Sequence, residues 1–156
     1  MSIGMGVFVN LDLAAADAVE AIELLARGLA GEPGVIDPAR LVVDIQMREN
    51  ILTTYVGEGV ALPHARTDAV KSRVVAVGRS PAGVPFGPKR DLAHLIVMVG
   101  CPRADISAYL QFSKLLLRRL RLPLVRAELM SATEPDKFLK LLELDGELSA
   151  SLPASS

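Results

Sequence analysis

Apolar and polar positions alternate along this chain in a way that sorts it into helical and extended stretches. A short apolar run, Val7-Phe8-Val9, leads into a turn begun by Asn10 or, better, by Asp12. Behind Asp17, residues 18–30 set Val19, Ile22, Leu25 and Leu29 at helical spacing with acidic side chains between them. Gly31 and Gly34 end that helix. Asp37-Pro38 opens a second one, since the aspartate can cap free amides and proline suits the first helical position. This helix runs from residue 38 to about residue 49 and carries Leu41, Val42, Ile45 and Met47.

The middle of the chain is extended. Residues 52–62 are short-strand material broken by Gly57 and Gly59, which permit tight turns. A strand begins at Val70 or Arg73 and ends at Gly78, because Val74-Val75-Ala76-Val77 is apolar and largely β-branched. Residues 80–88 read as a loop, with Pro81, Gly83, Pro85, Gly87 and Pro88. The strongest strand signal covers residues 92–99. Its unbroken Leu95-Ile96-Val97-Met98-Val99 implies an interior strand covered on both faces.

Helical spacing returns in residues 104–120, with an apolar face of Leu110, Leu115, Leu116 and Leu117 joined by Ile106 and Ser113. Residues 122–130 fit a helix after Pro123 or, in part, a strand. Residues 131–134 carry a cap signal before Pro135, and 136–144 a short amphipathic helix. The expected fold is α/β: a mixed β-sheet sandwiched between helices, in one domain over residues 1–146. A small, polar tail, 147–156, is expected to fray.

Composition narrows the possible functions. The 156 residues are 51% hydrophobic and 22% charged, which fits a globular protein and opposes disorder. Aromatic residues make up 4%, without tryptophan, so aliphatic side chains must fill the core. Seventeen basic against 18 acidic residues give a net charge of -1, and no nucleic-acid partner is expected. The basic cluster Lys114, Arg118, Arg119, Arg121 and Arg126 fits a solvated helix face, or a docking patch for an acidic surface or a phosphate. The single cysteine, Cys101, excludes an internal disulfide and fits a reducing compartment. No stretch approaches the roughly 20 apolar residues a membrane span requires, and the N-terminus does not read as a signal peptide. A cytoplasmic protein without membrane insertion is expected.

One segment concentrates candidate chemistry. His64, one of two histidines, follows Pro63 and precedes Arg66 in Glu58-Gly59-Val60-Ala61-Leu62-Pro63-His64-Ala65-Arg66. A histidine is much of the time a free base near neutral pH, and so can act as a phosphoryl acceptor. Such a site needs groups that stabilise charge on phosphoryl oxygens. Arg48, Thr53, Thr54, the backbone at Gly57 and Gly59, and Arg66 are candidates, with Glu49 beside Arg48. Each also fits an ordinary role: a solvated helix end for Arg48 and Glu49, strand residues for the threonines, a hairpin turn for the glycines, a surface charge for Arg66. His94 reads as a sheet-face or core histidine. Two distant histidines and one cysteine show no metal-ligand spacing, and no metal or cofactor is expected. The dinucleotide and P-loop glycine fingerprints and the serine-hydrolase elbow are absent.

The span Met47-Arg48-Glu49-Asn50, a Thr-rich connection, then Gly57-Glu58-Gly59-Val60-Ala61-Leu62-Pro63-His64-Ala65-Arg66 resembles a bacterial family signature. It is similar to the IIA domains of the fructose–mannitol type of the phosphoenolpyruvate-dependent sugar phosphotransferase system (PTS), with which the nitrogen-regulatory IIA proteins share fold and motif. The resemblance reaches from about residue 7 to residue 144. It implies that His64 accepts a phosphoryl group from a phosphohistidine carrier protein (HPr) and passes it to the cysteine of a IIB component. Arg48 would steady that group, Glu49 would hold the local structure, and Gly59 and Pro63 would shape the loop. The chain departs from the family at one position. Where sugar-transferring members carry a second histidine, it has Tyr109, which cannot carry a positive charge at neutral pH. That departure keeps two other readings open: a regulator that controls a target protein through the charge on His64, and a binding module that is never phosphorylated.

Overall fold

The computed structural model describes residues 5–144, so the tail expected from residue 147 lies outside the described residues. These fall into two compact units, residues 5–103 and 104–144.

The first unit holds β1 (Gly6–Asn10), α1 (Ala18–Leu29), α2 (Pro38–Ile51), β2 (Tyr55–Gly57), β3 (Val60–Ala61), β4 (His64–Arg66), β5 (Val74–Phe86) and β6 (Asp91–Cys101). Both helix starts follow from capping. Asp17 accepts from the Glu20 N–H at 3.0 Å, and Asp37 from the Arg40 N–H at 3.1 Å, with Pro38 at the first position. The turn after β1 uses Asn10, whose side chain accepts from the Asp12 N–H at 3.0 Å.

The strands form one mixed sheet in the order β1-β5-β6-β3-β2, with β4 also pairing with β6. β1 runs parallel to β5, β5 antiparallel to β6, and β3 and β4 both parallel to β6 at successive positions along its length. Ile22, Leu25 and Leu29 of α1 and Leu41 and Ile45 of α2 join Val74, Ala76, Ile96 and Met98 of the sheet in one core cluster. The alternate residues Val75, Val77, Val97 and Val99 are buried as well, as the unbroken apolar run implied. α1 lies very close to β1: a Cβ on Gly28 would stand 2.3 Å from the Phe8 ring.

Three expectations need correction here. Residues 80–86 are strand and not loop, because β5 continues to Phe86; only 87 and 88 lie in a turn. Its pairing with β6 shifts register between Arg79 and Val84, which absorbs the extra residues as a bulge. β1 pairs with β5 only as far as Gly78, so Pro81 and Pro85 fall on an edge where a missing N–H breaks no second ladder. Val19 is 54% exposed, being on the flank of the α1 apolar stripe in its first turn. Met47 is 61% exposed, because two residues beyond Ile45 lie about 200° round the helix.

The second unit holds α3 (Ile106–Leu120), α4 (Pro123–Ser131) and α5 (Pro135–Leu141). Residues 122–130 are therefore helical. The buried face of α3 is Tyr109, Phe112, Leu116 and Leu120, spaced three and four apart. Leu110 and Ile106, expected inside, are 60% and 44% exposed. The aromatic pair, not the leucine run, marks the inner face, and most of the leucines sit a quarter turn or more round from it. Arg119 closes the end of α5, donating from Nη2 to the Leu141 carbonyl at 2.6 Å and facing Glu143 at 3.5 Å.

Candidate functional site around His64

The last turn of α2 and the start of β4 meet around His64. Pro63 restricts the backbone ahead of the ring. Its carbonyl accepts from the Val99 N–H of β6 at 2.9 Å, and the Leu62 N–H donates to the Thr54 carbonyl at 3.1 Å. The loop is thus pinned on both sides before the histidine begins. The ring itself is half-buried, with Nδ1 2.8 Å from the Leu62 carbonyl oxygen. A carbonyl can only accept, so Nδ1 carries the proton and the neutral ring bears its lone pair on Nε2. Burial pushes the His64 pKa below the ordinary histidine value, and the nearby Arg48 cation adds to this. The Leu62 carbonyl and Glu49 act in the opposite direction and do not cancel it. The result is a neutral imidazole at pH 7 with an arginine in its field.

Arg48 and Glu49 close α2. Arg48 donates from Nη1 to the Leu52 carbonyl at 2.7 Å, satisfying a group left unpaired by the helix end. Glu49 collects the segment that follows: it accepts from Thr53 Oγ1 at 2.9 Å, the Thr54 N–H at 2.9 Å and Thr54 Oγ1 at 2.5 Å. Each threonine hydroxyl has one proton, and both are committed to this carboxylate. Thr53 and Thr54 therefore shape the connection in this structure, both hydroxyls being directed at Glu49.

Gly57 and Gly59 form a hairpin tip away from the ring. Tyr55 pairs with Ala61 and Gly57 with Val60, leaving Glu58 and Gly59 as a two-residue loop with φ of 54° and 75°. Positive φ at both positions is what a type I′ turn demands. The Gly59 carbonyl accepts from the His94 N–H at 2.8 Å. His64 instead pairs with Val99, five residues along β6, which separates the two levels by about 16 Å. Arg66 lies two residues beyond His64 in β4, hence on the same face of that strand, and is exposed. His94 is a half-buried sheet-face histidine, its Nδ1 2.9 Å from the Ser80 carbonyl. Tyr109 is buried on α3, in the second unit.

One feature gave no signal in the sequence. Thr67, which follows Arg66, is fully buried and donates from Oγ1 to Asp44 Oδ2 at 2.6 Å. Arg40 Nε lies 3.0 Å from both oxygens of the same carboxylate. Burial alone would raise the Asp44 pKa, but the bonds from Thr67 and Arg40 outweigh it and hold the carboxyl below its ordinary value. Nothing in the sequence singles out Thr67, and only the fold turns it inward.

Of the basic cluster, Lys114, Arg118 and Arg121 are exposed at helical spacing along α3. Arg119 is engaged with Leu141 and Glu143, and Arg126 donates from Nη1 to the Leu120 carbonyl at 2.9 Å. No group of three or more His, Cys, Asp or Glu among the described residues is arranged to hold a metal ion. No described helix is long and apolar enough to cross a membrane.

Comparison with known proteins places this chain among the components of the phosphoenolpyruvate-dependent sugar phosphotransferase system. Residues 6–144 match the family described as phosphoenolpyruvate-dependent sugar phosphotransferase system, EIIA 2, and the chain belongs to that family. A fructose-specific EIIA component of Haloferax volcanii is 39% identical over 114 residues, 72% of this chain and 73% of that protein. A 2-O-alpha-mannosyl-D-glycerate-specific EIIABC component of Escherichia coli is 30% identical over 132 residues, 81% of this chain but 20% of that longer protein. The crystal structure of the mannitol IIA from Escherichia coli superimposes with a TM-score of 0.74 at 29% identity, covering 86% of this chain and 94% of that one. The nitrogen-regulatory IIA protein of Neisseria meningitidis shares the fold, with a TM-score of 0.78 at 23% identity, over 86% of this chain and 92% of that one. The fold is thus the mixed-sheet α/β fold of the EIIA proteins, and its general role is PTS phosphotransfer.

Proposed function

We propose that Nε2 of His64 is the phosphoryl acceptor and that the chain is a IIA carrier acting in the cytoplasm between HPr and a IIB component. The observation that carries this reading is the placement of Arg48 and Glu49, in the last turn of α2, where both act on the His64 ring; the Nδ1–Leu62 carbonyl bond then assigns the ring's lone pair to Nε2. In the first step the Nε2 lone pair attacks phosphorus. The Nε2–P bond forms as the donor's N–P bond breaks, and the donor imidazole leaves with its electron pair. In the second step a IIB cysteine thiolate attacks the same phosphorus, forming an S–P bond and returning the electron pair to Nε2. Arg48, already coupled electrostatically to His64, stabilises the phosphoryl oxygens. Arg66 supplies a further cation on the same face of β4. Exposed Lys114, Arg118 and Arg121 serve a docking surface for an acidic patch, and charge reversal there slows transfer from HPr. An unchanged rate at low salt would count against that surface.

The test is phosphoryl transfer from phosphoenolpyruvate through the general PTS enzyme and HPr, read by radiolabel and intact mass. Wild type gains one phosphoryl group and His64→Ala gains none. A folded wild type that stays unlabelled would sink the carrier reading in favour of a binding module that is never phosphorylated.

Tyr109 favours a second reading, in which the phosphorylation state of His64 governs binding to a regulatory target. A neutral hydroxyl makes a weaker bond than a charged imidazole would. The phosphoenzyme of the wild type is accordingly expected to be shorter-lived than that of Tyr109→His. Equal lifetimes would remove Tyr109 as an argument for regulation.

A further inference from the structure

We propose that Asp44 and Thr67 form a positioning clamp that sets the last turn of α2, and with it Arg48, against His64 for phosphoryl transfer. The proposal rests on the reading of His64 as acceptor. The long connection from Leu52 to Pro63 separates α2 from β4 in sequence, so tertiary contacts must fix the helix against the strand. The Ile36 and Asp37 N–H groups tie the start of α2 to the Ala69 carbonyl at 2.7 and 3.1 Å, and further along the helix Leu41 and Ile45 share one core cluster with Ala65, Ala69 and Val70 through apolar contacts. Such contacts are non-directional and tolerate a slide of the helix along the strand. A hydrogen bond does not.

Thr67 is fixed through both its N–H and its hydroxyl. Its N–H donates to the Cys101 carbonyl of β6 at 2.8 Å. Its hydroxyl accepts from the Ala69 N–H at 2.9 Å, which leaves the single hydroxyl proton aimed at Asp44, 2.6 Å away. Asp44 is held from its own helix by Arg40. Asp44 precedes Arg48 by four residues, one turn and about 6 Å of rise on nearly the same helix face. Thr67 follows His64 by three residues, about 10 Å along the extended chain. The clamp and the Arg48–His64 pair therefore lie on one helix–strand junction, one turn apart. Arg48 and Glu49 both bear on the charge of His64, so a slide of α2 changes the site directly.

The experiment compares Thr67→Val, Thr67→Ser and Asp44→Asn with wild type by two readouts. One is the NMR titration of the His64 ring in the unphosphorylated protein. The other is phosphoryl acceptance at varied HPr concentration. Thr67→Val is expected to move the His64 midpoint and to lower the maximal rate about tenfold, the HPr concentration for half-maximal rate staying as in wild type. Thr67→Ser, which keeps the hydroxyl, restores both. If Thr67→Val does not fold, Asp44→Asn decides by the same two quantities. A folded variant with a wild-type His64 titration and maximal rate overturns the clamp, even if it melts earlier. If wild type takes no phosphoryl group, the acceptor reading fails by itself, and the titration still decides whether the clamp sets the surroundings of His64.

Discussion

The two histidines of this chain are held alike and surrounded differently. Each offers Nδ1 to a backbone carbonyl, His64 to Leu62 at 2.8 Å and His94 to Ser80 at 2.9 Å. Each is half-buried and belongs to the same sheet. Fixing a tautomer is therefore not what distinguishes His64 from His94. His94 sits between turns: its backbone meets the Gly59 carbonyl, and a Cβ on Gly83 would stand 3.0 Å from its ring. His64 sits at the end of a helix whose last turn brings Arg48 and Glu49 to bear on it. The difference lies in the electrostatic company of the ring.

The sharpest way to break the comparison is to remove each ring in turn. His64→Ala abolishes phosphoryl labelling, whereas His94→Ala labels at the wild-type rate. Labelling that survived in the first variant and vanished in the second would reverse the assignment. Next in size is Arg48. Arg48→Ala removes the cation beside the acceptor and lowers the rate of phosphoryl acceptance about 100-fold, the order seen when one oxyanion donor is lost. A rate within a factor of a few of wild type would mean that Arg48 serves only the helix end.

Glu49 separates structure from chemistry in the same region. Glu49→Gln turns one of its two acceptor oxygens into a donor facing the Thr53 and Thr54 donors. It is expected to lower unfolding free energy by about 1–2 kcal/mol, measured by urea denaturation. Unaltered stability would show that the threonine connection is held by other contacts.

The smallest expected effect is a pH dependence. The folded pKa of His64 lies below its unfolded value, so between the two the unfolded chain binds more protons. Stability then rises with pH across that window and is lost as pH falls through it. His64→Gln should flatten this part of the profile, and superimposable profiles of the two proteins would refute the contribution.

Much of the fold was legible because local rules and global packing agree. Asp37 caps where its position ahead of a helical pattern said it would, and Leu95-Ile96-Val97-Met98-Val99 is an interior strand. Disagreement arose where tertiary context overrode a local signal. Pro81, Gly83 and Pro85 spell a loop, but an edge with a bulge accommodates them in β5. The leucines of α3 outnumber its aromatics, yet Tyr109 and Phe112 turn inward. At the site, the position of His64 behind proline and the run Arg48-Glu49 could be read directly. The division of labour could not. Thr53 and Thr54 fit either phosphate contacts or ordinary strand residues by sequence, and only the fold shows both hydroxyls donating to Glu49. Gly57 and Gly59 are near His64 in sequence and at another level of the sheet in space. The Asp44–Thr67 pair spans 23 residues and follows no spacing rule.

The bond from His64 to Leu62 also bears on how the ring would let go of its cargo. With the proton resident on Nδ1, phosphorylation at Nε2 produces a cationic ring, and the Leu62 carbonyl then accepts from a charged donor, a stronger bond than before. On the proposed relay, the group leaving under thiolate attack would be neutral imidazole, already in the tautomer it had at the outset. No general acid has to deliver a proton, and the reverse reaction begins from the same species. A carrier working in the proposed way would be reset by departure itself, because the proton that makes the imidazole a good leaving group would stay on Nδ1, facing the Leu62 carbonyl.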